Sequence, residues 1–241
     1  MTLDVPGRVR WRHAGRPGWL AVALLAAACG GGSSPTGPTT TSAPSAPATV
    51  RYRVTFDATW SAGTHPQDFP ANPHFSPLVG ALHSTAVRFW HDGAIASDGI
   101  RRMAEQGLTS PLDAEIGNAI GAGTARTLVR GGGIGLSPGS TSVEFEAAQS
   151  HPLLTLVAMV APSPDWFVGV SAVPLFDGAA WVDRLTVDLR PWDAGTDGGR
   201  SFESADQTLS PRQPIAALAG FPVAVNGAVP PMGRFVVERL P

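Results

Sequence analysis

The chain contains no lysine. All seventeen of its basic residues are arginine, set against nineteen acids for a net charge of −2. With no excess of cations to neutralise a phosphate backbone, nucleic-acid binding by charge is excluded. Charged residues are 15% of the chain and aromatics 7%, while 28 glycines and 23 prolines interrupt any long helix. That balance points to the many turns of an all-β protein. Cysteine is nearly absent: Cys29 stands alone, so no disulfide can form within the chain. The apolar run "WLAVALLAAAC" falls well short of the roughly 20 residues that a spanning helix needs.

What is present at the N-terminus explains the cysteine. Arg8, Arg10, Arg12 and Arg16 precede that short apolar run, the order of a secretory signal. It closes as Ala26-Ala27-Ala28-Cys29, which resembles a bacterial lipobox, although Leu25 lies one residue earlier than the usual leucine. The expectation is a signal peptide over 1–28, cleavage before Cys29, and a diacylglycerol on its sulfur that anchors the protein to a membrane. The competing reading is a plain signal peptide with an incidental cysteine. Residues 29–49, rich in Gly, Ser, Thr and Pro, read as a flexible tether with nothing to bury. Gly30 offers no inner-membrane retention signal, so in a two-membrane host the anchor is expected at the outer membrane or cell surface. The folded part is then 50–241, one domain large enough for a core of its own.

Within it, "VRYRVTFDATW" alternates, with Tyr52, Val54, Phe56 and Ala58 on one face and Arg51, Arg53, Thr55 and Asp57 on the other, the pattern of a half-buried strand. "THPQDFPANPHFSP" carries too many prolines for regular structure and reads as a long ordered loop. "STAVRFW" reads as a strand turned by "HDG". "SDGIRRMAEQGL" reads as a short helix capped by Ser97 or Asp98 and ended by Gly107, and "SPLDAEIGNAIGAG" as a second helical piece. "TSVEFEA", "HPLLTLVAMVA", "DWFVGVSAVPLF", "AAWVDRLTVDLRPW" and "GRFVVERL" supply further strands. The unbroken apolar run of the second of these fits a central strand, and the fourth turns Leu185, Val187 and Leu189 inward. With this many strands, little helix and no βαβ rhythm, the expected architecture is an antiparallel β-sandwich with a few short helices in its connections.

Catalytic patterns fail on chemistry. "GLSPG" has the spacing of a nucleophile elbow around Ser137, but the following residue is Pro138. A proline has no N–H for the oxyanion hole, and a strand follows where the elbow needs a helix. The glycines of "RGGGIGLSPG" miss the dinucleotide fingerprint for the same proline. His65, His74, His83 and His91 lack the close spacing of a zinc pair and are expected to be surface or locally hydrogen-bonded residues.

The acids are more informative. "RPWDAGTDGG" sets Asp193 and Asp197 four residues apart among glycines that permit a sharp turn. Either the aspartates cap turns, or they converge on a hard cation; Ca²⁺ accepts six to eight oxygens in loose geometry. Asp165, in "APSPDW" at a strand start, is the candidate third carboxylate. A glycosidase-like envelope hydrolase using two of these acids is the weaker alternative.

"YRVTFDATWSAGTHPQDFPANPHFSPLVGALHS", "SPDWFVGVSAVPLFD", "WVDRLTVDLRPWDAGTDGGRSF" and "VVERL" together resemble the spondin N domain of the F-spondin and mindin family of extracellular matrix proteins, which also occurs in bacterial secreted proteins. The resemblance covers nearly all of 50–240. It implies a sandwich shaped like C2-type domains with a calcium ion at one end, held by carboxylates matching Asp165, Asp193 and Asp197. It departs from the animal members in having no cysteine within the domain and no thrombospondin-type repeat among these residues, so their partners are not carried over. The expected function is binding or adhesion at the cell surface, without catalysis, toward an extracellular protein or glycan.

Overall fold

The computed structural model describes residues 46–241. Cys29, the signal segment and most of the tether lie outside the described residues. The last tether residues already belong to the fold: Gln149 donates to the carbonyls of Ala46 and Pro47, and the Trp181 indole donates to Pro47 at 2.7 Å.

Eleven strands and two helices follow: β1 (Thr49–Ala58), β2 (His74–Phe75), β3 (Val79–His83), α1 (Asp98–Gln106), α2 (Leu112–Gly121), β4 (Ala125–Arg130), β5 (Gly139–Ala148), β6 (Leu153–Ala161), β7 (Trp166–Pro174), β8 (Arg184–Leu189), β9 (Trp192–Asp193), β10 (Ala216–Ala217) and β11 (Gly233–Arg239). They form two sheets, ordered β5-β1-β11-β8 and β10-β9-β7-β6-β3-β4, with β2 paired to β6, and every pairing is antiparallel. The all-β sandwich read from the sequence is the fold.

The sequence explains the layers. Alternation in β1 buries Tyr52, Val54, Phe56 and Ala58 against the second sheet. Its other face carries Arg51 and Arg53, which both bond Glu144 on β5. Strand β6 does not alternate, because it is covered twice. Leu154, Leu156, Ala158 and Val160 meet the first sheet, whereas Val157, Met159 and Ala161 pack under the helices with Ile100, Met103 and Ile116. A strand buried on both faces must be apolar at every position. The helix α1 begins as expected, with Ser97 Oγ accepting the Ile100 N–H at 3.1 Å, and ends at Gly107 in the left-handed region.

One expected strand is not there. "STAVRFW" forms turns, in which Ser84 Oγ takes the Ala86 N–H at 3.3 Å and diverts the backbone from a ladder. Its Trp90 instead packs edge-on against Phe167 and Trp192. The true strand is the preceding β3, buried at all five positions, which no period of two reveals.

Candidate functional site

The site grows from a short pairing at one end of the larger sheet. Strand β9 aligns with the start of β7, with Asp193 opposite Trp166 and Trp192 opposite Phe167. Asp165 is thereby set beside the segment that follows Asp193, and its carbonyl accepts the Ala194 N–H at 3.1 Å. The chain then bends at Gly195, whose φ is +73°. A Cβ here would lie 2.1 Å from the Gln213 carbonyl oxygen, so no other residue fits without moving the backbone.

That bend folds the loop over Asp165, which is 0% exposed. Its Oδ2 receives three donors: the Thr196 N–H at 2.7 Å, the Thr196 hydroxyl at 3.1 Å and the Asp197 N–H at 3.1 Å. Its Oδ1 is buried with no hydrogen-bond partner. Burial and then the neighbouring Asp193 carboxylate push the Asp165 carboxyl up to about 6, against the pull of the three donors. Asp193 is also raised, by burial first and Asp197 second, although its Oδ1 accepts the Gly195 N–H at 2.7 Å.

Asp197 lies in the same turn but is directed differently. Its Oδ1 accepts the Gly199 N–H at 2.8 Å and its Oδ2 the Gln207 N–H at 2.7 Å. Both oxygens hold the loop together, the capping role that a four-residue spacing among glycines also allows. The fold therefore brings the three aspartates onto adjoining loops. Among the described residues, however, no group of three or more His, Cys, Asp or Glu side chains stands in metal-holding array.

The feature that suits a hard cation is the unpartnered, buried oxygen of Asp165. A buried carboxylate oxygen with no donor is costly, and a Ca²⁺ ion takes carboxylate and carbonyl oxygens of this kind. Asp165 Oδ1 and the half-buried Asp193 are the groups that would face it, whereas both oxygens of the buried Asp197 are already taken by backbone N–H groups. Thr196 is the residue that sequence reading missed. It fixes Asp165 Oδ2 and leaves the buried Oδ1 as the oxygen of that carboxylate without a donor. Its place between Gly195 and Asp197 was the available signal.

The rejected patterns resolve as structure. Ser137 is buried and donates to the Trp60 carbonyl at 2.8 Å. His65 and His83 are fully buried rather than on the surface, and both bond locally: His65 Nδ1 meets Thr64 Oγ1 at 3.0 Å, and His83 lies between Thr155 Oγ1 and the Ser84 carbonyl at 2.8 Å each. His74 and His91 bond the nearby carbonyls of Asn72 and Asp92.

A model of one family, Spondin_N, matches residues 50–222. The chain belongs to the spondin N family. Human Spondin-2 is 33% identical over 233 residues, covering 90% of this chain and 69% of that protein. Human and rat (Rattus norvegicus) Spondin-1 are each 32% identical over 205 residues, covering 80% of this chain but 25% of theirs. The chain thus spans about a quarter of the length of the Spondin-1 relatives. The match takes in the whole acidic loop of the spondin domain. Strand β11 lies beyond residue 222, yet it pairs with β1 along seven residues from Tyr52 to Ala58, so the sandwich needs it.

Proposed function

We propose that this protein is an exported, membrane-anchored binding module of the cell surface, with a calcium ion held at Asp165, Asp193 and Asp197. The observation that carries the calcium reading is the divided carboxylate of Asp165: three donors on Oδ2, none on the buried Oδ1. An ion at Oδ1 satisfies that oxygen and offsets the repulsion between Asp165 and Asp193. Membership of the spondin N family supports an adhesive role at the cell exterior. The basic and apolar N-terminus ending at Cys29 supports export and lipid anchoring. Among the described residues no helix is long and apolar enough to cross a membrane.

Binding is favoured over hydrolysis by how the acids are used. Asp197 spends both oxygens on backbone N–H groups, and Asp165 is shut away from any substrate. Neither is presented as a general acid or nucleophile would be. Isothermal calorimetry of the 46–241 fragment with calcium tests the metal reading. Heat saturating at one ion per chain, and lost in Asp193→Asn, is the expected result; no heat at millimolar calcium refutes it.

A further inference from the structure

The segment between β3 and α1 is a strap laid over one end of the larger sheet. His83 fastens its near end. The ring is buried, with Nδ1 at 2.8 Å from the Ser84 carbonyl and Nε2 at 2.8 Å from Thr155 Oγ1. Phe89 stands edge-on to it, 5.5 Å between ring centroids. The next residue, Trp90, packs against Phe167 and Trp192, and its carbonyl takes the Ser171 hydroxyl. The far end is tied separately. Gly93 N–H donates to the Ile215 carbonyl and Ile215 N–H to the Ala94 carbonyl, each at 2.8 Å. Gly93, with a φ of +81°, is the bend between the two fastenings.

The hydrogens around the ring are fixed by their partners. A carbonyl only accepts, so the Nδ1 that faces Ser84 carries the proton. Nε2 is then bare and accepts the Thr155 hydroxyl. Thr155 Oγ1 in turn accepts the Ala172 N–H at 3.0 Å, at a bulge where Ser171 and Ala172 together face Thr155 and Ala172 has a φ of +54°. A second proton on the ring would make Nε2 a donor and take that acceptor from the Thr155 hydrogen. Burial is the largest force against such a charge. Arg88 on the strap and His151 on the turn before β6 add to it, while the Ser84 and Val87 carbonyls pull the other way, and the ring is held below its ordinary range. On the facing β4, Arg126 is paired with Glu146. Among the described residues no carboxylate acts on the ring.

We propose that His83 is the latch of an acid-opened strap: a proton on its ring breaks the Thr155 bond, and residues 84–92 swing out about Gly93 and uncover Phe167 and Trp192. The closed strap excludes the proton, and the open one admits it at the ordinary value of about 6.5. The strap is therefore fastened above that pH and loosens as pH falls below it. The clamp at Ile215 holds residues 93–95 in place, so the opening is local.

Trypsin reads the opening at the Arg88–Phe89 bond, which is out of reach while Phe89 and Trp90 are packed. The full chain is digested briefly at pH 7.5 and at pH 5.5. Cleavage after Arg88, followed by mass spectrometry, is normalised at each pH to that of a free peptide of residues 84–93. Cleavage after Arg53, on a strand paired on both sides, reports unfolding of the whole domain. Normalised cleavage after Arg88 should rise about tenfold between the two pH values, the factor for a histidine of ordinary pKa that binds its proton only in the open form. Cleavage after Arg53 should stay flat. His83→Gln, whose amide oxygen takes the Thr155 hydrogen and does not titrate, should abolish the rise. A wild type with no rise, a rise that survives in His83→Gln, or an equal rise after Arg53 overturns the proposal. Should His83→Gln fail to fold, NMR titration of the wild-type ring decides. A ring that stays neutral in the closed chain well below its ordinary 6.5 supports the latch, and one that charges there without opening removes it.

Discussion

The Thr196 backbone N–H donates to Asp165 Oδ2 at 2.7 Å across a sequence separation of 31 residues. That bond closes the glycine-rich turn over a carboxylate at the start of β7, and the Thr196 hydroxyl adds a second donor to the same oxygen. The turn and the buried acid are one structure, and disturbing either should disturb both.

Calcium should stabilise the domain. Binding to the folded state alone adds about 2.7 kcal/mol when calcium stands a hundredfold above its dissociation constant. For a domain of this size that is a rise of about 5–10 °C in melting temperature. Differential scanning calorimetry in calcium and in chelator measures it. Asp193→Asn should remove most of the difference; a chelator-insensitive wild type would mean that the loop is a polar turn and nothing more.

In chelator the pH profile should carry the signature of Asp165. Its carboxyl is raised from the ordinary 3.8 to about 6 in the folded state. The folded protein therefore holds a proton that the unfolded chain has released. Stability from this group is complete below the unfolded value and is lost as pH climbs from about 4 to about 6, on the order of 3 kcal/mol in all. Urea unfolding across that window should show the decline, and Asp165→Asn should flatten it. With calcium present the deprotonated form is the ligand, and the slope should reverse.

Gly195→Ala should unfold the site more than the domain average. The residue has a φ of +73°, and the new Cβ would meet the Gln213 carbonyl oxygen at 2.1 Å. A loss of at least about 2 kcal/mol is expected from strain and displacement together, read by urea unfolding. A loss near zero would show that the Gln213 segment can step aside.

Ser137→Ala separates structure from catalysis. Removing the hydroxyl leaves the buried Trp60 carbonyl unpaired, which costs about 1–3 kcal/mol. The melting temperature should fall accordingly. Screens against ester substrates should find no turnover in the wild type for the substitution to abolish.

Cys29→Ala should move the protein from the membrane fraction to the soluble one, checked by fractionation and by mass spectrometry of the mature N-terminus. A wild type found wholly soluble, with an unmodified N-terminus, would leave Cys29 incidental.

The sequence by itself determined the sandwich, the strands that alternate and the first helix with both of its ends. Those features depend on local periodicity and capping: Tyr52, Val54 and Phe56 need only their own spacing to declare a face, and Ser97 and Gly107 need only their neighbours. It also singled out Asp165, Asp193 and Asp197, through the glycines and prolines around them and the resemblance they carry. Tertiary structure decided everything that depends on a second segment. Strand β3 escaped notice because burial on both faces erases alternation, and one of those covers comes from the helices α1 and α2 that follow it. The separate tasks of the three aspartates were likewise not legible. Asp197 turns to the Gln207 N–H and Asp165 to Thr196, and which oxygen is left without a donor follows from which backbone groups the fold brings within reach.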